Sequence, residues 1–347
     1  VAAEKAALWT DSRYFLQAAE ELSGTGIELM KDGLAETPDI VEWIRTHCSI
    51  SSANFTVGLD YATCGTGQYC ADFSNFATKD VDLAAEIWKD RPALPKHPIV
   101  RHPSEWTSKT AGEKIELVRR LQHELIAKKL KAAAPMAADS ARNFDESVET
   151  YFFYNDISEI AWLLNLRGED IEFNPVFLSY LLVGERETHL FAHLEALDEI
   201  VRKELESHNI RLHPYESAAD LLRSLDPKKT IIGYAESMNQ QAVEVFHQLG
   251  LYSVCTSPVT PVPALRAIKD EREIAGFRRA MQLDGVAMVR FRRALDEIIE
   301  KGEIGQETEL SIEQRLTAFR AEHPDFRGLS FGTIAGYGAH GAIVHYE

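Results

Sequence analysis

The chain has 347 residues, 45% of them hydrophobic and 26% charged, which is enough for two or three hydrophobic cores and ordinary for a globular protein. Its 54 Asp and Glu against 37 Lys and Arg give a net charge of -17, which repels phosphate backbones and anionic lipid, so no nucleic-acid partner is expected. No apolar run approaches the roughly 20 residues that span a bilayer, and residues 1–20 lack a signal-peptide pattern, so a cytoplasmic protein with no membrane partner is expected.

In chain order, Ala6–Thr10 predicts a strand, Tyr14–Leu22 a helix, Ile27–Met30 a strand, Asp39–His47 a helix and Thr56–Leu59 a strand. The start at Val1 reads as a point inside a longer product. A Pro- and His-rich stretch, Arg91 through Pro103, predicts an extended linker at a domain exit, because proline fixes φ and removes a donor. Glu113–Lys131 then carries an apolar stripe at helical spacing, from Ile115 to Leu130, with basic residues toward its C-terminal end. Tyr151–Tyr154 predicts an aromatic strand, and Asp156 with Glu159 three residues on predicts a capping-box start for a helix through Leu164.

The β-α-β-α-β order then returns: His189–Ala192, Leu194–Glu206, Ile210–His213, Ala218–Leu225 and Thr230–Tyr234, followed by a helix Gln240–Leu249 stopped by Gly250. The spacing from Leu8 to Leu29 is close to that from Leu190 to Leu212. This reads as a duplication of α/β units with largely parallel sheets, although generic α/β spacing yields a similar pattern. Pro258, Pro261 and Pro263 break the chain again. Asp270–Lys301 predicts one long helix with Gly285 in its middle, at a cost of about 1 kcal/mol relative to Ala. Ser311 with Gln314 predicts the cap of a shorter helix to Glu322, and a glycine-punctuated loop from Gly328 predicts a strand, Ala342–Val344, that delivers His345 and Tyr346.

Most chemical motifs are missing. Cys48, Cys64, Cys70 and Cys255 form no CxxC pair and read as buried free thiols, and Cys48 beside His47 reads as core. Gly65-Thr66-Gly67 lacks the third glycine of a dinucleotide loop and the lysine of a phosphate loop, and no G-x-S-x-G elbow is present. His97 and His102 read as linker residues. His189, His193 and Glu195 have the composition of a metal group but flank a strand-to-helix turn, so ligation is not expected.

Residues 157–171, from Ile157-Ser158-Glu159 through Gly168-Glu169-Asp170-Ile171, followed by Asn174-Pro175-Val176-Phe177, closely resemble the second domain of cytosolic Xaa-Pro aminopeptidases (aminopeptidase P), pita-bread metallopeptidases. Trp9-Thr10-Asp11-Ser12-Arg13-Tyr14-Phe15 resembles that family's W-T-D-G-R-Y-F, with Ser12 where glycine is usual. Arg91-Pro92 through His102-Pro103, Ser257-Pro258-Val259, Lys269-Asp270-Glu271, Asp284-Gly285-Val286-Ala287 and Phe331–Tyr346 also fit. The resemblance implies an α/β fold of two creatinase-like domains, residues 1–110 and 111–262, followed by the start of a pita-bread (α+β) catalytic domain at 263–347.

It further implies a homodimeric metallo-aminopeptidase that removes the N-terminal residue of peptides with proline second. The implied cofactor is two divalent metal ions, usually Mn2+, that activate a bridging water. In the family the ligands are two Asp, one His and two Glu, all beyond the pair that is His345-Tyr346 here. No metal ligand is therefore assigned, and the chain alone is expected to be inactive. The same matching makes His345 catalytic, as a hydrogen-bonding partner of the substrate or of the developing tetrahedral intermediate. It makes Phe331 and Val344 lining of the apolar pocket for the departing residue. Read without the family, His345 is a strand-end histidine and Phe331 and Val344 are core; Arg13 reads as half of a surface ion pair, with a place in the domain-one wall of the substrate cleft as the alternative. The alternative function is a noncatalytic peptide- or protein-tail-binding module, a use to which the same fold is also put.

Overall fold

The structure is a computed structural model and describes residues 1, 5–48, 55–133, 148–256 and 260–346. Two compact units divide the chain, one formed by Val57–Gly276 and the other by Val1–Thr56 with Phe277–Glu347. The fold is mixed α/β. Among the described residues, no helix is long and apolar enough to cross a membrane.

The larger unit is organised by a six-stranded sheet in the order Ile210–Pro214, Thr188–Ala192, Ser179–Gly184, Glu149–Tyr154, Thr230–Tyr234, Tyr252–Cys255. Ser179–Gly184 runs antiparallel to both of its neighbours, and the remaining pairs are parallel. The central strand Glu149–Tyr154 is apolar along most of its length because both faces are covered. Its residues alternate between two cores: Phe152 and Tyr154 pack with Leu181, Leu190 and Ile231, while Tyr151 and Phe153 pack with Leu182, Phe191 and Ile232.

One face takes Ile115, Val118 and Ile126 of the helix Ala111–Ala133 and Val201 and Leu205 of Glu199–Ser207. The other takes Leu222 of Ala218–Ser224 and Val243 and Phe246 of Gln240–Gln248. The long helix lies so close to the sheet that a Cβ on Gly233 would stand 2.8 Å from Ile126 and 2.9 Å from Phe152.

The helix Ile157–Leu164 shows how local signals and tertiary context divide the work. Asp156 caps it as expected, accepting from the backbone N–H of Ser158 and Glu159. Glu159, however, does not close the expected capping box. Its carboxylate is buried and accepts instead from Thr260 Oγ1 at 2.7 Å, a partner 101 residues away. At the other end Asn165 takes the left-handed conformation at φ 53, and its side-chain oxygen and the Trp162 carbonyl hold the buried Lys114 ammonium at 2.6 and 2.8 Å. The expected helix Leu194–Glu206 is instead a 3-10 turn, Leu194–Ala196, and then Glu199–Ser207, because Asp198 accepts from the Val201 N–H and starts a new helix.

In the smaller unit the strands Ala6–Thr10 and Ile27–Lys31 pair in parallel with Leu8 opposite Leu29, joined through the helix Phe15–Glu21. In the larger unit Leu190 stands opposite Leu212 in the same way. The two leucine spacings read from the sequence are thus two strand registers, and the β-α-β repeat is present in both places. The repeat ends there. Val57–Leu59 pairs with Thr78–Asp80 in a separate two-stranded sheet, and Thr230–Tyr234 pairs with Glu149–Tyr154 rather than with Ile210–Pro214. Spacing specifies a crossover but not the neighbour that a third strand will find.

The long helix of the C-terminal part spans Glu271–Glu300, and exposed Gly285 has open space where a Cβ would lie. The following helix, Glu309–Ala321, is capped three residues before the expected position: the Thr308 hydroxyl accepts from the Ser311 N–H, and Ser311 Oγ accepts from the Thr308 N–H. Pro258 and the rest of 257–259 lie outside the described residues.

Candidate functional site

The segment that ends in His345 does not form the strand expected over residues 342–344. Gly338–Ala342 is a 3-10 turn, and the chain continues through a further turn at Val344 and His345. A strand needs a neighbour to take its N–H and C=O groups, and none pairs with this segment among the described residues. The glycines allow the alternative. Gly338 adopts φ +61, and a Cβ on Gly336 would lie 3.2 Å from the Gly341 backbone nitrogen.

Glu309, in the first turn of its helix, gathers this segment. Its carboxylate accepts from the Tyr337 backbone N–H at 2.5 Å, from His340 Nδ1 at 2.9 Å and from the Tyr346 hydroxyl at 3.0 Å. The rings of His340 and Tyr346 stack with centroids 4.4 Å apart. The Tyr337 N–H is the main reason that the Glu309 carboxyl is held below its ordinary range, with His340 and Tyr346 contributing in the same direction. His340, to which the sequence assigned nothing, is therefore part of a latch.

His345 faces the N-terminal segment of the same unit. Its Nδ1 lies 2.5 Å from the hydroxyl of Tyr14, and the two rings meet edge to face with centroids 5.0 Å apart. Beside them Arg13 forms a two-pronged ion pair with Asp11, at 2.9 and 2.7 Å, and its guanidinium lies 5.6 Å from the centre of the Tyr14 ring. The Asp11 carboxyl is held down to about 2, first by the side chain and then by the backbone N–H of Arg13. Phe331 and Val344 are open to solvent, at 69% and 56% exposure.

The structure thus brings His345 together with Asp11, Arg13 and Tyr14. Sequence reasoning gives Tyr14 no role and misses Glu309. For Tyr14 the signal was its place in the motif at residues 9–15. For Glu309 there was none, because an acidic residue in the first turn of a helix is ordinary.

The other histidines that the sequence singled out have partners within the protein or are buried. His189 Nε2 lies 3.0 Å from Glu187 and its Nδ1 lies 2.9 Å from His213 Nε2, while Glu187 also pairs with Arg211 at 2.7 Å. His97 bonds Asp170, and burial pushes the His102 imidazole down to about 4, with the charges of Arg167 and Lys114 adding. Among the described residues no three His, Cys, Asp or Glu side chains are grouped to hold a metal ion.

Residues 90–273 match the Creatinase/Prolidase N-terminal domain family, and residues 275–347 match Metallopeptidase family M24. A Xaa-Pro aminopeptidase 1 of Dictyostelium discoideum is 31% identical over 98% of this chain and 52% of its own length. A probable Xaa-Pro aminopeptidase P of Laccaria bicolor is 32% identical over 100% and 51%. The chain therefore spans about half the length of the curated relatives that it matches. The crystal structure of X-prolyl aminopeptidase from Caenorhabditis elegans, described as a cytosolic enzyme with a di-nuclear active site, superposes with a TM-score of 0.83 at 26% identity, covering 100% of this chain and 54% of that one.

Proposed function

The chain belongs to the creatinase/prolidase N-terminal domain family as a homologue of the Xaa-Pro aminopeptidases P, and from that premise we propose that it is part of a metallo-aminopeptidase that releases the N-terminal residue of peptides with proline in second place. The observation that carries the reading is the match over 98% to 100% of the chain to proteins of that description. In this reading residues 1–110 and 111–262 are two creatinase-like domains, and 263–347 opens the pita-bread catalytic domain. The whole protein acts in the cytosol as a homodimer.

His345 is the residue of this chain that does chemistry. With Nδ1 engaged by the Tyr14 hydroxyl, Nε2 is the ring atom left to donate to the carbonyl oxygen that gains charge when water attacks the peptide. Phe331 and Val344 form the apolar wall for the departing residue. Two divalent ions, Mn2+ by our reading, are the cofactor of the whole protein. Among the described residues no three His, Cys, Asp or Glu side chains are grouped to hold them.

The test uses a protein in which this chain continues through a complete metallopeptidase domain. Such a protein cleaves Arg-Pro-Pro peptides when Mn2+ is supplied, and the 347-residue chain does not. Binding of the peptide without cleavage by the longer protein refutes the enzyme and favours the tail-binding module.

A further inference from the structure

Tyr14 is separated from His345 by 331 residues, yet its hydroxyl makes a polar contact with the His345 ring. The phenol's place is fixed locally. Tyr14 precedes the helix Phe15–Glu21, its N–H donates to the Asp11 carbonyl at 3.1 Å, and its carbonyl accepts from the Ala18 N–H at 2.8 Å. The Asp11–Arg13 pair flanks the ring on the same short turn. The adjacent residue in the C-terminal segment, Tyr346, is tied to a different element through Glu309. Two neighbouring rings are thus clamped from two sides, which leaves His345 little freedom to rotate.

The chemistry of the pair sets the proton. A phenol O–H is the better donor and an imidazole nitrogen the better acceptor, so the bond runs from Tyr14 to Nδ1 and leaves Nε2 as the nitrogen that carries hydrogen. We infer that Tyr14 is a positioning residue, which holds His345 in the Nε2–H tautomer and fixes the direction in which that donor points. This inference rests on the reading of His345 as the group that touches substrate. It adds that the N-terminal segment supplies a part of the reaction centre without contacting the substrate. The loss of one orienting hydrogen bond to a reacting group lowers turnover by about tenfold to a hundredfold.

The first experiment needs only the 347-residue chain. With 15N-labelled histidine, long-range proton–nitrogen spectra of the wild type show His345 with an unprotonated Nδ1 and a protonated Nε2. The variant Tyr14→Phe, which keeps the ring, shows a mixture of tautomers. An unchanged His345 signal in Tyr14→Phe overturns the inference. If that variant does not fold, the wild type decides, because a low-field Tyr14 hydroxyl proton coupled to His345 supports the contact and its absence overturns it.

The second experiment uses the protein continued through its metallopeptidase domain. Tyr14→Phe lowers kcat by about tenfold or more while KM stays within about twofold. If His345→Phe abolishes turnover and Tyr14→Phe leaves kcat unchanged, the inference falls and the functional reading stands. If His345→Phe leaves turnover intact, the functional reading falls and takes the inference with it.

Discussion

Glu159 offers a quantitative test of how the larger unit is held together. The residue is 6% exposed, its carboxylate accepts from Thr260 at 2.7 Å, and it sits among the apolar residues of the helix Ile157–Leu164. Burial pushes its carboxyl up from 4.5 to about 7; the Thr260 hydrogen bond and Arg266 act against this and Asp156 acts with it.

The folded value is raised, so the stability associated with the neutral carboxyl is fully present below pH 4.5 and is lost as pH rises through 7. At about 1.4 kcal/mol per pH unit, the difference between 4.5 and about 7 makes the folded state about 3 kcal/mol less stable at pH 8 than it would be with a neutral group in place. Glu159→Gln supplies that neutral group, keeps the shape and can still bond Thr260.

Urea unfolding of wild type and variant at about pH 5 and about pH 8 checks the sum. The variant is more stable by less than about 1 kcal/mol at the lower pH and by about 3 kcal/mol at the higher. A difference that is the same at both pH values, or a variant less stable at the higher one, refutes the reasoning.

Gly233→Ala places a methyl group against Ile126 and Phe152 at the closest approach of helix and sheet. It lowers the urea midpoint by the equivalent of about 1–3 kcal/mol, whereas Gly285→Ala, with open space around it, raises stability by up to about 1 kcal/mol. Glu309→Ala removes the acceptor shared by Tyr337, His340 and Tyr346. Chymotrypsin then cleaves after Tyr337 several-fold faster than in wild type, with cuts outside this segment unchanged.

Much of the chain was legible residue by residue. Leu8 with Leu29 and Leu190 with Leu212 were read as spacings and stand as register partners. Asp156 was read as a cap and is one. In each case the deciding interactions run between residues a turn or a crossover apart, where side-chain period and hydrogen-bonding chemistry suffice. The reading failed where a residue had a choice of partner. Glu159 has the spacing of a capping box, but a buried hydroxyl 101 residues away takes its carboxylate. Thr230–Tyr234 has the spacing of a third strand in the repeat, but it pairs with the apolar strand Glu149–Tyr154.

The candidate site follows the same rule. The motif around His345 and the motif around Tyr14 were both visible as short strings of residues, and each pointed to a family of peptidases. That the two strings meet, with Nδ1 against a phenol 331 residues away and Glu309 gathering the glycine-rich segment, appeared only in the folded chain. Local propensity is a property of neighbouring residues and is written in their order. Which distant groups share a proton depends on where long-range burial brings the backbone, and that is a sum over the whole unit rather than over any string within it.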